Sequence, residues 1–201
     1  MKDEKQIVLF IKKGFMYDNT KLASMLNEQF TELGNPVVIP FDTKHIDQPL
    51  IIFNQGKILL TMNYNDVSII YRSNDDMFDL TMNIIDFLEE NDFDFIRFGY
   101  ISTHICTDKE RENFIENTFK NSEAIKADFN LSWYSKELID SVSVNVWQRK
   151  LTDFANKVPF VSIFDINTPI DEEYNISSEF VNNFIKKCDK YIEKKEKEMF
   201  K

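Results

Sequence analysis

Residues 50–72 of the chain read LIIFNQGKILLTMNYNDVSIIYR, and this stretch decides the fold class. Three apolar runs are separated by Asn54-Gln55-Gly56 and by Asn63-Tyr64-Asn65-Asp66, which contain the residue types that favour tight turns. Because a tight turn reverses the chain direction, the pattern predicts a three-stranded antiparallel meander.

Helical periodicity lies on both sides of this meander. Upstream, Asp18 or Thr20 can cap a helix that carries Leu22 and Leu26 on one apolar stripe. Downstream, the stretch from Ser73 to Asp76 has the spacing of a capping box and predicts a second helix. That helix has one apolar side and one acidic side.

A second, similar series of elements follows. It comprises a central strand from Phe93 to Ile105, a helix that begins at the capping box Thr107 to Glu110, two strands with a turn near Lys136-Glu137, a strand from Val158 to Ile166, and a helix from Ser177 to Phe200. The sequence therefore predicts an α+β fold with a largely antiparallel sheet and about four helices. We expect a single domain over residues 1–201, in which halves 1–91 and 92–201 would be pseudo-equivalent and share one core.

The charge of the chain limits the classes of partner. Lys and Arg number 24 and Asp and Glu number 34, so the formal net charge is 24 − 34 = −10. A field of this sign repels phosphate backbones and anionic lipid and attracts basic proteins. We therefore expect a basic protein partner and no direct nucleic-acid binding. The first apolar run, Ile7 to Ile11, is too short for a signal peptide, and no later stretch is long enough to span a bilayer, so we expect no membrane association and a cytoplasmic location. With glycine at only four positions, no loop can present consecutive amides to a nucleotide, and no cofactor is expected.

Acidic residues are concentrated on the second predicted helix and just after it. They are Asp75, Asp76, Asp79, Asp86, Glu89, Glu90, Asp92 and Asp94. Three interpretations are open: a solvated helix face, a surface that binds a basic protein, or paired carboxylates that hold a metal or act as general acids. We assign these eight residues to partner binding.

His104 and Cys106 are two residues apart on a predicted strand, so their side chains share a face. A metal site needs three or four ligands, and a cysteine nucleophile needs a base. Because only two candidates are local, we expect this pair to pack and predict no catalytic residue and no metal site. A small hydrolase or metal-dependent enzyme that uses Asp and Glu, or His104 and Cys106, is the alternative.

Two tryptophans and one arginine remain. Trp133 and Trp147 are expected to pack on the sheet, and if exposed they become candidate anchors for an interface. A self-associating structural module is therefore a further alternative. Arg97, on a central strand, is expected to pair with a carboxylate of a helix.

Two short motifs bear on the family. Ile96-Arg97-Phe98-Gly99-Tyr100-Ile101 is similar to an arginine-bearing aromatic strand, and Phe164-Asp165-Ile166-Asn167 is followed by a long amphipathic helix. On these motifs, the region from Ile58 to Phe200 resembles a sporadically distributed bacterial protein family of uncharacterised function. The resemblance implies no catalytic residue.

These observations lead to one functional hypothesis. The sequence predicts a non-enzymatic, acidic protein-binding module that docks on a basic, nucleic-acid-handling protein. Abundant Asn, Lys, Ile and Phe beside 4 Gly and 5 Pro is typical of AT-rich coding DNA. This usage favours a low-GC bacterium or one of its phages as the source. Together with the charge of −10 and the compact size, it leads us to expect a phage or mobile-element inhibitor, of the anti-CRISPR or another anti-defence type.

Overall fold

The computed structural model describes residues 3–12, 18–45, 48–55, 58–72, 75–119, 128–153, 158–172 and 174–201. Within those ranges the chain forms β1 (Glu4–Ile11), α1 (Asn19–Gln29), a 3-10 turn (Thr31–Leu33), β2 (Val37–Val38), β3 (Ile51–Gln55), β4 (Ile58–Met62), β5 (Asp66–Arg72), α2 (Asp75–Glu90), β6 (Phe95–Ile105), α3 (Asp108–Thr118), β7 (Phe129–Ile139), β8 (Val142–Asp153), β9 (Val158–Asn167) and α4 (Ser178–Met199). No helix of these ranges is both long enough and apolar enough to cross a membrane.

The strands form one antiparallel sheet in the order β2-β3-β4-β5-β1-β6-β9-β8-β7. The predicted meander is present as β3, β4 and β5, with Phe53 opposite Leu60 and Leu60 opposite Ile69. Together with the four α-helices of the described residues, this sheet confirms the predicted α+β fold class.

The two halves of the chain have the same connectivity. In residues 1–91, β1 is followed by α1 and by the meander β3-β4-β5, whose last strand pairs with β1 before α2 begins. In residues 92–201, β6 is followed by α3 and by the meander β7-β8-β9, whose last strand pairs with β6 before α4 begins. β1 and β6 pair antiparallel at the centre of the sheet, so the two arrays lie side by side, and β2 at the edge of the first has no counterpart among the described residues of the second.

The helices cover one face of the sheet. Phe98 and Tyr100 of β6 are fully buried on this face, and the Phe98 ring lies 5.8 Å from the ring of Phe184 on α4. The alternate residues Arg97 and Ile101 are only half-buried on the opposite face. The predicted central position of this strand is correct, and its two faces differ because the helices pack on one of them.

The turn between β7 and β8 lies at Asp140 and Ser141, so the turn predicted near Lys136-Glu137 is wrong. Both turn residues have positive φ, 51° and 68°, as a two-residue type I′ hairpin turn requires. The usual signal for that turn is Asn-Gly or Asp-Gly. The chain has serine in place of the glycine, which is why the pattern did not reveal it.

Candidate functional site

Three acidic residues of α2 face solvent. Asp79, Asp86 and Glu90 are exposed and are seven and four residues apart, so they form one stripe about 16 Å long. Asp92 and Asp94 are exposed just beyond the end of the helix. We call these five residues the acidic face. Five of the eight predicted partner-binding residues are therefore exposed on α2 or just after it.

The charge around the acidic face is strongly negative. Residues 75–94 contain eight carboxylates and no Lys or Arg, so this segment carries −8 of the total charge of −10. Asp75 and Asp76 begin α2, and their side chains lie outside the described part of the chain. At the edge of the face, Asp94 Oδ2 lies 3.9 Å from Lys12 Nζ, with side-chain exposures of 61% and 43%. Solvent therefore screens that pair.

Two of the eight predicted residues bond to α4. Glu89 Oε2 accepts a hydrogen bond from the backbone amide of Ser178 at 2.8 Å, and Asp86 Oδ1 accepts one from the Ser178 hydroxyl. A carboxylate at a helix N-terminus satisfies free amides and interacts favourably with the helix dipole. These bonds link α2 to α4, a structural role that the sequence did not indicate.

A second cluster lies where β6 ends and α3 begins, and it contains His104, Cys106 and Glu110. Their candidate ligand atoms all lie within 4.8 Å of one another. His104 Nε2 is 3.7 Å from Glu110 Oε1, and His104 Nδ1 is 3.2 Å from Asp3 Oδ2. The structure therefore adds Glu110 and Asp3 to the pair that the sequence predicted only to pack.

The capping box of α3 positions Glu110. Its Oε2 accepts hydrogen bonds from the backbone amide and the hydroxyl of Thr107, at 2.7 and 2.8 Å. Burial alone would raise the pKa of Glu110, but the hydrogen bonds from Thr107 and the nearby His104 lower it below its ordinary value. Cys106 is only 7% exposed, and burial raises the pKa of its thiol to about 12.

A chain of polar groups lies next to this cluster. Lys150 and Ser162 are both 0% exposed; Lys150 Nζ bonds to Ser162 Oγ, which donates to Glu196 Oε1 at 2.7 Å. Burial lowers the pKa of Lys150 to about 8, while the nearby Glu196 acts in the opposite direction. A serine beside a lysine of lowered pKa is a nucleophile and base pair in some hydrolases. Here both groups are fully buried and separated from solvent. The hydrogen bonds between Lys150, Ser162 and Glu196 therefore serve to link β8, β9 and α4.

An open cleft of about 1130 Å³ lies between α3 and α4. His104, Glu110 and Asn113 line it on one side, and Glu193 and Glu196 of α4 line it on the other. His104 and Glu110 of the cluster therefore lie at the wall of this cleft, while the hydrogen-bonded Lys150 and Ser162 are fully buried.

The remaining sequence candidates are separate from both clusters. Trp147 is 51% exposed on the uncovered face of the sheet, and its ring centroid lies 4.8 Å from that of Tyr134. Trp133 is 36% exposed. The Arg97 guanidinium lies 4.4 Å from the centre of the Phe10 ring, which is an aromatic contact, and the expected pairing with a helix carboxylate stays a prediction. Burial lowers the pKa of Arg97.

Sequence reasoning missed Asp3, Glu110, Lys150, Ser162 and Glu196 as neighbours of His104 and Cys106. Glu110 was recognised only as a capping residue. Lys150 carried a usable signal, because it continues the period-two alternation of Val144 and Val146 on the buried side of β8. Asp3 and Glu196 lie near opposite ends of the sequence, and no local pattern indicated that they are neighbours of His104 and Cys106.

The comparisons with known proteins bear on the family. No family model matches the chain, and no curated protein matches it at a significant level. The resemblance of Ile58 to Phe200 to a bacterial family therefore stays a prediction.

Proposed function

We propose that the protein is a non-enzymatic binding module that docks its acidic face on a basic, nucleic-acid-handling protein. The observation that carries this proposal is the charge of −8 on residues 75–94, where no lysine or arginine intervenes. Attraction between such a face and a basic groove accelerates association and disfavours partners of the wrong charge.

The average density of carboxylates along α2 supports a groove that binds nucleic acid. The 16 residues of α2 are about 24 Å long, and six of the eight acids lie on them. That is an average of one negative charge per about 4 Å, against one per about 3.4 Å along a single nucleic-acid strand. The exposed acids Asp79, Asp86 and Glu90 lie about 10 and 6 Å apart along the helix axis. A groove that holds a strand of phosphates presents cations at a comparable average density.

The rigidity of α2 also supports the proposal. Ile84, Ile85 and Leu88 are 0% exposed against the core, and Asp86 and Glu89 bond to the start of α4. A helix fixed in this way loses little conformational entropy on binding, so more of the electrostatic attraction contributes to affinity. A module that occupies the nucleic-acid groove of another protein prevents that protein from binding nucleic acid. This is the action expected of a phage or mobile-element inhibitor.

The test is affinity capture from a nuclease-treated bacterial lysate with three baits. These are the wild-type protein, Asp79→Lys with Glu90→Lys, and the control Glu112→Lys with Glu116→Lys on α3. Both double variants change the net charge by +4 at exposed positions, and none of the four residues bonds α2 to α4. Asp86 is left intact because it bonds to Ser178.

We expect a basic protein that the wild type and the α3 variant retain and the α2 variant loses. Retention should fall between 0.1 and 1 M salt, since the Debye length shortens from about 10 to about 3 Å. Single-stranded nucleic acid should compete with the bait for the captured protein and release that protein from the bait. Equal retention by all three baits, or a partner that nucleic acid does not displace, would contradict the proposal.

A further inference from the structure

We propose that His104, Cys106 and Glu110 bind one zinc-type divalent cation at the wall of the cleft between α3 and α4. The site is independent of the acidic face and extends the protein beyond its proposed binding function. One nitrogen, one sulfur and one carboxylate oxygen form a mixed donor set, which suits zinc and related transition metals better than magnesium or calcium.

The distances fit a tetrahedral ion. Ligands about 2.0 to 2.3 Å from a tetrahedral metal lie roughly 3.3 to 3.8 Å from one another. His104 Nε2 and Glu110 Oε1 are 3.7 Å apart, and all three ligand atoms lie within 4.8 Å of one another. Closing the remaining gap to the Cys106 sulfur requires only a small side-chain movement, not a change of fold.

The groups around the ligands hold two of them in a binding orientation. Asp3 Oδ2 lies 3.2 Å from His104 Nδ1, and Asp3 Oδ1 accepts a hydrogen bond from the backbone amide of Ile105. A carboxylate on one ring nitrogen favours the tautomer whose other nitrogen, here Nε2, has a free lone pair. Glu110 uses Oε2 for the bonds from Thr107, so Oε1 stays available for a metal.

The local charge also favours a cation. Asp3, Glu110 and Glu196 contribute three negative charges near the cluster, and the fully buried Lys150 contributes the positive one behind it. The five lysines that line the cleft are exposed, so solvent screens them; they are Lys109, Lys190, Lys194, Lys197 and Lys201. A divalent ion with a Cys106 thiolate would lower the excess of negative charge.

Three protein ligands leave a fourth position of the ion free. Because His104 and Glu110 line the cleft, that position faces its solvent-filled space, as in zinc sites that keep a water ligand. Cys106 belongs to a small apolar cluster with Phe114, Ile115 and Phe160, which shields the sulfur on the other side. The bound ion would therefore face solvent on one side and apolar side chains on the other.

The test uses the full-length, reduced, chelator-treated protein and adds zinc or cobalt ions alone. Zinc affinity and stoichiometry are measured by competition with a chromophoric chelator, and cobalt binding by absorption spectroscopy. We expect one zinc per chain and, with cobalt, a thiolate charge-transfer band. Cys106→Ser should abolish that band and weaken zinc binding by more than about tenfold, whereas Cys188→Ser, at the other buried cysteine, should retain both.

Two further variants keep the proposal testable if Cys106→Ser does not fold. Glu110→Gln can still accept the bond from Thr107 and should weaken zinc binding by more than about tenfold with α3 intact by circular dichroism. Asp3→Asn, which acts through His104, should weaken it by about 10–100-fold. Less than one zinc per chain, a cobalt spectrum without a thiolate band, or equal binding by wild type and Glu110→Gln would overturn the site.

Discussion

Replacing Lys150 by methionine should stabilise the protein at neutral pH. Lys150 is 0% exposed, its ammonium group bonds to Ser162, and burial lowers its pKa from the ordinary value of 10.5 to about 8. Methionine has a similar volume and no charge, so it can fill the same space between the rings of Phe164 and Phe200. Ser162 keeps its hydrogen bond to Glu196.

The magnitude follows from the two pKa values of Lys150. Below pH 8 both the folded and the unfolded chain carry the proton, and the folded state bears the full cost of burying it. The difference between pKa values of 10.5 and about 8 corresponds to about 3 kcal/mol of destabilisation of the folded state by the buried ammonium group. Loss of the bond to Ser162 offsets about 1 kcal/mol, so we expect Lys150→Met to be more stable by about 2 kcal/mol at pH 7.

The advantage of the variant should shrink as pH rises. Between pH 8 and 10.5 the unfolded wild type binds more protons than the folded one, so wild-type stability increases with pH from this group. At pH 9.5 the remaining cost is about 1 kcal/mol, and the variant and the wild type should be nearly equal. Burial raises the thiol pKa of Cys106 and Cys188, which lowers the stability of both proteins above pH 9. This contribution largely cancels in the difference between wild type and variant.

The assay is urea unfolding at pH 7 and pH 9.5, in reducing buffer with chelator, for wild type, Lys150→Met and Lys136→Met. Lys136 is exposed on β7, so its variant should differ from wild type by less than about 0.5 kcal/mol at both pH values. If Lys150→Met is the less stable protein at pH 7, or if its difference from wild type is the same at both pH values, the buried ammonium does not carry the cost assigned to it.

Three further variants test the fold by urea or thermal unfolding. Ser141→Gly should stabilise by up to about 1 kcal/mol, because glycine relieves the strain of φ 68°; Ser143→Gly, inside β8, should destabilise instead. Gly99→Ala should destabilise by about 1–3 kcal/mol, because its Cβ would lie 2.5 Å from Asn167 Oδ1, and Asn167→Ala should restore much of the loss. Glu89→Ala should cost about 1 kcal/mol through the first amide of α4, whereas Glu89→Gln, which can still accept that bond, should cost less.

Local patterns in the sequence were sufficient for most of the elements. The apolar runs and turn residues of residues 50–72 predicted β3, β4 and β5, and the spacing of Thr107 and Glu110 predicted the capping box that both side chains form. These features depend on residues that are close in sequence. The turn at Asp140 and Ser141 escaped because serine rarely adopts the conformation found there.

The sequence by itself determined the antiparallel α+β class, the acidic side of α2 and the shared face of His104 and Cys106, because each depends on the short repeat of a strand or a helix. Only the tertiary structure decided that Asp3 orients His104, that Glu110 completes the cluster and that Glu89 caps α4. Those contacts join residues up to 101 positions apart. Strand order and helix packing set their distances, and neither is encoded in a local periodicity.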